Sequence, residues 1–283
     1  MKLAPKYKGR SIEGVGGTRL FVEEHGDPSK PAILWIHGIC QSRLAWDRQF
    51  EDENLSAQYH LIRLDLRGHG LSDKPTDLRE YQNSKIWADD IQAVIDTLHL
   101  HKPFLVGWSY AGHILCDYVQ CWGQDNLSGL IFVDAASDAG REEVLPLFGG
   151  DFLQLIPGFL FPDYAQWMTA LQQFVDLMTY EGVDPQTFYQ MVGFGAVTLP
   201  ATRQGMLMRE MDNRAVLESI TIPTLLLHGR NDRVILSAAS DYIARYIPHT
   251  SRIVYDQCGH APFLEQASQF NRDVAAFLQQ VYP

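Results

Sequence analysis

The run Pro103-Phe104-Leu105-Val106-Gly107-Trp108-Ser109-Tyr110-Ala111-Gly112 passes from an apolar strand into a helical stretch with almost no loop between them. A strand-to-helix turn this sharp presses the residues on either side of its centre together. Small side chains are then required two positions before and two after Ser109, and Gly107 and Ala111 supply them. The turn lifts the Ser109 hydroxyl clear of the sheet, at the positive end of the following helix.

On either side of this turn the same alternation recurs. Residues 32–36 (AILWI), 59–64, 104–106, 130–133, 224–227 and 252–255 read as strands, preceded by a strand at 18–24. Unbroken apolar runs suit strands covered on both faces. Between them, residues 84–100 place Ile86, Trp87, Ile91, Val94, Ile95 and Leu98 on one stripe at helical spacing. Residues 270–281 do the same through Val274, Phe277, Leu278 and Val281. His99 and His101 near the end of the first helix read as a solvated turn rather than as metal ligands. The pattern predicts an α/β fold of βαβ units around a mostly parallel sheet flanked by helices.

With 46% hydrophobic and 20% charged residues, the 283-residue chain has the composition of a globular domain, not of a disordered one. A net charge of −11 repels polyanions, so no nucleic acid or anionic membrane is expected as a partner. No apolar run approaches the ~20 residues of a membrane span. The first residues, MKLAPKYKGRSIEGVGG, lack the apolar stretch of a secretory signal. Cys40, Cys116, Cys121 and Cys258 show neither CxxC pairing nor the density of a disulfide scaffold. A reduced, cytoplasmic setting is expected.

Three further pieces, each at the C-terminal end of a predicted strand, join Ser109. His37-Gly38-Ile39-Cys40 follows AILWI. In acyl transfer the carbonyl oxygen gains negative charge and must meet preorganised donors. The main-chain N–H groups of Ile39 and Tyr110 are placed to form that oxyanion hole. Leu227-His228-Gly229-Arg230-Asn231-Asp232 supplies a carboxylate that would accept an imidazole N–H and fix its tautomer. Cys258-Gly259-His260-Ala261-Pro262-Phe263 supplies His260, which would take the Ser109 proton and return it to the leaving group. Open α/β sheets gather their active sites at this edge. Asp134 also ends a predicted strand and is the alternative acid, and His69 and His113 read as structural. No metal or organic cofactor is implied, since H-E-x-x-H, a strand-following G-x-G-x-x-G and a P-loop are all absent from the sequence.

Taken together, these pieces resemble the α/β-hydrolase superfamily over nearly the whole chain. Asp65-Leu66-Arg67-Gly68-His69-Gly70-Leu71-Ser72-Asp73 resembles that family's D-x-R-G-x-G-x-S turn after its fourth strand. The resemblance implies an eight-stranded sheet, with Ser109 as nucleophile, Asp232 as acid, His260 as base, and Ile39 and Tyr110 as oxyanion donors. The chain looks most like small bacterial esterases, lactonases and cofactor-free perhydrolases. It departs from the pattern at Ala111, where glycine is usual.

The alternation breaks between residues 138 and 213. Residues 144–202 hold eleven of the chain's 32 aromatics with five acids and no Lys or Arg. So much apolar surface cannot face water, so 138–213 is expected to be a helical cap. Residues 1–137 and 214–283 then form the core domain. Trp108, Cys40, Phe148 and Trp167 are expected against the substrate, and Cys40 and Cys258 also read as small buried fillers. An aromatic cap without basic residues favours a neutral, apolar ester or lactone. Perhydrolysis or C–C bond cleavage by the same triad, and a hydrolase-like small-molecule sensor, are the rivals. A carboxylate nucleophile, needed for dehalogenation or epoxide hydrolysis, is excluded by Ser109. Oligomeric state is not legible.

Overall fold

A computed structural model describes residues 7–161 and 163–282. Residues 1–6, part of the stretch read above as lacking a secretory signal, lie outside the described residues. The described strands are β1 (Lys8–Glu13), β2 (Arg19–His25), β3 (Ala32–Ile36), β4 (His60–Leu64), β5 (Phe104–Trp108), β6 (Gly129–Val133), β7 (Thr224–Gly229) and β8 (Ser251–Tyr255). They form one eight-stranded sheet in the order β1-β2-β4-β3-β5-β6-β7-β8. β2 runs antiparallel to β1 and β4, and every other neighbouring pair is parallel. This is the mostly parallel eight-stranded sheet flanked by helices that the resemblance implies.

Every residue of β3, β4, β5, β6 and β7 is buried. That is why those strands read as continuous apolar runs: helices cover both faces. β1 is different. Its sequence KGRSIE buries only Ile12, and Lys8 and Arg10 lie on the rim, where charge protects an open edge from pairing. The helix over Ser84–Thr97 stops three residues short of the predicted end because His99 takes a left-handed conformation with φ 53°. Its N–H returns to the Asp96 carbonyl, and that of Leu100 to Ile95, which satisfies the last turn. The final helix spans Ala267–Val281.

Between β6 and β7 the chain forms helices at Gly150–Leu160, Tyr164–Leu177, Pro185–Ala196 and Pro200–Leu207. Their starts are written locally. Asp163 and Asp184 accept main-chain N–H groups of the first turns, and Pro185 and Pro200 stand where a missing N–H is harmless. Phe152, Phe159, Trp167 and Phe174 pack edge-on or tilted at 4.9–6.3 Å. The two ends of the segment meet: Ala139 bridges Met211, and the Asn213 N–H donates to Asp138 at 2.9 Å. Arg209 then reaches the Ala111–Trp122 helix and forks onto both Asp117 oxygens at 2.8 and 2.9 Å. A buried pair of this kind fixes where the segment sits more than it adds stability.

β7 ends so close to the loop before residue 260 that a Cβ on Gly229 would lie 1.8 Å from the Gly259 carbonyl oxygen. Gly229→Ala is therefore expected to destabilise the protein by about 3 kcal/mol through overpacking. Gly193, in a helix with nothing within 4 Å of its virtual Cβ, provides the contrast: Gly193→Ala should stabilise by about 0.5–1 kcal/mol. Urea unfolding midpoints of the two variants should move in opposite directions, and equal midpoints would contradict the packing described.

Candidate active site

β5 ends at Trp108, the Ala111–Trp122 helix follows, and Ser109 sits between them with φ 58°. For a side chain other than glycine, that left-handed backbone is strained and persists only where its surroundings enforce it. Here they do. The Ser109 N–H donates to the Val133 carbonyl at 2.9 Å. A Cβ on Gly107 would come within 2.9 Å of the Ala111 carbonyl, on Gly112 within 2.3 Å of the Ala136 carbonyl, and on Gly38 within 2.9 Å of the Ser109 Cβ. The elbow thus needs bare backbone at 38, 107 and 112, while Ala111 fits with its methyl fully buried.

From this elbow the Ser109 Oγ lies 2.8 Å from His260 Nε2, and His260 Nδ1 lies 2.7 Å from Asp232 Oδ2. With the Nδ1 proton directed at Asp232, Nε2 is left as the acceptor for the serine hydroxyl. The histidine is held from several sides. Its N–H donates to the Met178 carbonyl at 2.8 Å, and its carbonyl accepts the Trp108 indole N–H at 2.7 Å. Asp232 Oδ1 accepts the N–H groups of Val234 and Ile235 at 2.8 and 3.1 Å. Burial alone would raise the Asp232 carboxyl. The facing His260 and His228 outweigh it and hold the group at about 2.

Asp134, the alternative acid, occupies a different position. Its Oδ1 accepts the Gly229 N–H at 2.8 Å. Burial and, after it, the Asp232 charge push its carboxyl well above the ordinary range. Asp134, Asp232 and His260 place one ligand atom each within 4.8 Å of one another, so they are the described residues best spaced for a metal ion. Asp232 and His260, however, already hydrogen-bond each other. His228 was not singled out in the sequence, yet it stands 3.3 Å from Asp232 Oδ2. Its own ring is fixed by the Ser240 hydroxyl at 2.7 Å and the Ile235 carbonyl at 2.8 Å. The only sequence signal for it is its place in the quoted Leu227–Asp232 motif.

Ile39 and Tyr110 line one cavity with Ser109, and neither of their N–H groups donates to another described residue. The loop that carries Ile39 is fixed by two buried neutral histidines, both lowered by burial, His37 to about 4 and His69 to about 3. His37 Nε2 accepts the Leu66 N–H at 3.0 Å, and His69 Nε2 accepts the Cys40 N–H at 3.1 Å. The D-x-R-G-x-G-x-S turn is therefore the brace of the Ile39 loop.

Ser109, Ile39 and Tyr110 open onto a cavity of about 850 Å³, including the solvent at its mouth. Phe148, Phe152, Ile156, Met206, Met211 and Ile235 form much of its wall. Of the four expected substrate contacts, only Phe148 lies there. Trp108 is a correction: its ring packs against His260 at 5.5 Å and Phe263 at 4.7 Å and is not part of the cavity wall. Trp167 is a second, because it is buried in the helical segment against Phe159 and under the Arg203 guanidinium, 4.0 Å from its ring centre. Cys40 is a third. Its thiol is fully buried toward Thr198 and pushed up to about 12 by burial, as a filler would be.

A family model described as the alpha/beta hydrolase fold matches residues 31–267. The AB hydrolase superfamily protein YisY of Bacillus subtilis (strain 168) is 27% identical over 282 residues, covering 91% of this chain and 94% of its own. The pimeloyl-[acyl-carrier protein] methyl ester esterase of Nitrosomonas europaea is 28% identical over 248 residues, covering 85% of this chain and 92% of its own. Among solved structures, the esterase RhEst1 from Rhodococcus sp. ECU1013 superposes with a TM-score of 0.88 at 29% identity, covering 96% of this chain and 99% of that one.

Proposed function

The chain belongs to the alpha/beta hydrolase fold family, and from that premise we propose that it is a serine hydrolase cleaving neutral, apolar carboxylic esters or lactones. One observation carries the reading: the Ser109–His260–Asp232 line, with links of 2.8 and 2.7 Å, ends at a cavity lined also by Ile39 and Tyr110, whose N–H groups donate to no other described residue. Ser109 Oγ attacks the carbonyl carbon while His260 Nε2 takes its proton. The oxyanion of the tetrahedral intermediate accepts hydrogen bonds from the Ile39 and Tyr110 N–H groups. As the intermediate collapses, the C–O bond to the alcohol breaks and His260 returns the proton to that oxygen. Water, deprotonated by the same imidazole, then releases the acid. Asp232 orients the imidazole and stabilises its cation throughout.

The substrate class follows from the wall. Among the described residues no Asp, Glu, Lys or Arg lines the cavity, so a charged acyl group would lose its hydration without a partner. Residues 138–213 act in this reading as the cap that supplies Phe148, Phe152 and Ile156. The named methyl ester esterase among the relatives supports ester cleavage as the reaction. The test is a p-nitrophenyl ester series. kcat/KM is expected to rise from acetate to hexanoate and to be at least ~10-fold lower for the hemisuccinate, given the cost of burying an unpaired charge. Ligand binding without acid release would favour the sensor reading, and preference for the hemisuccinate would contradict the apolar cavity.

A further inference from the structure

Glu265 closes the short Pro262–Glu265 helix that follows the proposed base His260, and the mechanism above makes no use of it. Its half-buried side chain turns back onto the chain it has just left. Oε1 accepts the N–H of Gly259, the residue before His260, at 2.8 Å, with the Cys258 thiol 3.6 Å away. Oε2 accepts the Tyr180 N–H at 2.6 Å. Tyr180 stands just past the Tyr164–Leu177 helix, in the segment between β6 and β7 that forms much of the cavity wall. One carboxylate thus bridges the loop that carries His260 and the segment that carries the wall.

Two further contacts join the same pieces. The His260 N–H donates to the Met178 carbonyl at 2.8 Å. A Cβ on Gly259 would lie 2.9 Å from both the Cα and the carbonyl carbon of Thr179, so the two backbones are already in close contact. Residues 258–260 and 178–180 therefore pack as one unit. Both partners of the Glu265 carboxylate are N–H groups, which only donate, so the group between them must accept at each oxygen. An ionised carboxylate does this, and its charge strengthens both bonds. A side-chain amide does not, because it offers one oxygen and turns an NH2 toward the other donor. Burial raises the Glu265 carboxyl, and the Tyr180 and Gly259 N–H groups oppose that rise.

We propose that Glu265 is a positioning residue that aligns His260 with Ser109 by clasping the histidine loop to residues 178–180, so that the base is in place only while the helical segment is seated. The inference rests on the serine-hydrolase reading above. Neither Glu265 nor residues 178–180 line the cavity, so the clasp acts on the base and not on the binding of the acyl chain. Alignment of this kind is sensitive, since a displacement of about 1 Å at reacting groups costs up to ~100-fold in rate.

The test is Glu265→Gln, which keeps the size of the side chain and can hold only one of the two N–H groups. Its kcat on p-nitrophenyl hexanoate is expected to fall by about 10- to 100-fold with KM little changed. Phosphonylation of Ser109 by a fluorophosphonate, which needs the aligned imidazole, should slow in parallel. Amide hydrogen exchange should quicken at residues 178–180 and 258–260 together. Glu265→Asp keeps the charge but is one methylene too short to span both donors, so it should lose kcat as well, and it carries the test alone if Glu265→Gln does not fold. A purely structural contact would lower the urea midpoint and leave kcat as it was. A kcat close to that of the wild type in these variants, or a loss confined to KM, overturns the assignment while leaving the hydrolase reading intact. Full kcat in Glu265→Asp alone would assign the effect to charge and overturn the clasp. A wild-type protein that neither releases acid nor is phosphonylated would instead overturn the hydrolase reading itself.

Discussion

Ser109→Ala is expected to lower kcat on a chromogenic ester by on the order of 10⁵-fold or more, the scale on which a nucleophile removed from such a unit is felt. The wall of the cavity is left as it was, so KM for whatever activity remains should change little. The loss should be specific to chemistry. Alanine tolerates the φ of 58° no worse than serine does, and Gly38, Gly107 and Gly112 enforce the turn in either case. The urea midpoint of Ser109→Ala should therefore lie close to that of the wild type. A variant that keeps even a hundredth of the wild-type kcat would contradict the proposed nucleophile.

Asp232→Asn is expected to lower kcat by about 10⁴-fold, because an amide facing His260 Nδ1 no longer holds the imidazole in the productive tautomer. Asp134→Asn should cost less than about 10-fold. Asp134 accepts the Gly229 N–H rather than touching the His260 ring, and an amide oxygen can accept that N–H in its place. The pair of variants thus decides between the two candidate acids. Stability carries a second signature. Asp232 is held at about 2 in the folded protein, below its unfolded value of about 3.9. Its contribution is therefore fully present above that unfolded value and is lost as pH falls through about 2. The gap in unfolding free energy between wild type and Asp232→Asn should narrow on acidification over that window; a constant gap would contradict the depressed carboxyl.

What could be read from the chain, and what could not, divides along physical lines. β3, β5, β6 and β7 are buried on both faces, so their sequences are continuous apolar runs that no solvated segment would keep. Ser109 and Asp232 each follow such a run, His260 follows the partly exposed edge strand β8, and the parallel sheet carries all three to one edge. β1 left little trace, since an edge strand with one buried residue in six has almost no hydrophobic pattern. Aromatic content located the helical segment between β6 and β7 but not its surfaces. Phe159, Trp167 and Phe174 fill its interior while Phe148 and Phe152 reach the cavity, and nothing in residue type separates the two groups. Trp108 misled for a related reason: it stands beside the nucleophile in sequence, yet its ring packs against His260 and Phe263 and stays out of the cavity wall. The roles of His228, Asp134 and Glu265 depend on burial and on which partners approach, and these are properties of the assembled fold alone.

The central claim is that Ser109 is a nucleophile activated by His260. It is tested most directly by treating the protein with a fluorophosphonate and locating the adduct by peptide mass spectrometry. The account predicts a single phosphonylated residue, Ser109, with labelling abolished in Ser109→Ala and strongly slowed in His260→Ala. An adduct at another residue, or undiminished labelling of Ser109 without the imidazole, would contradict it.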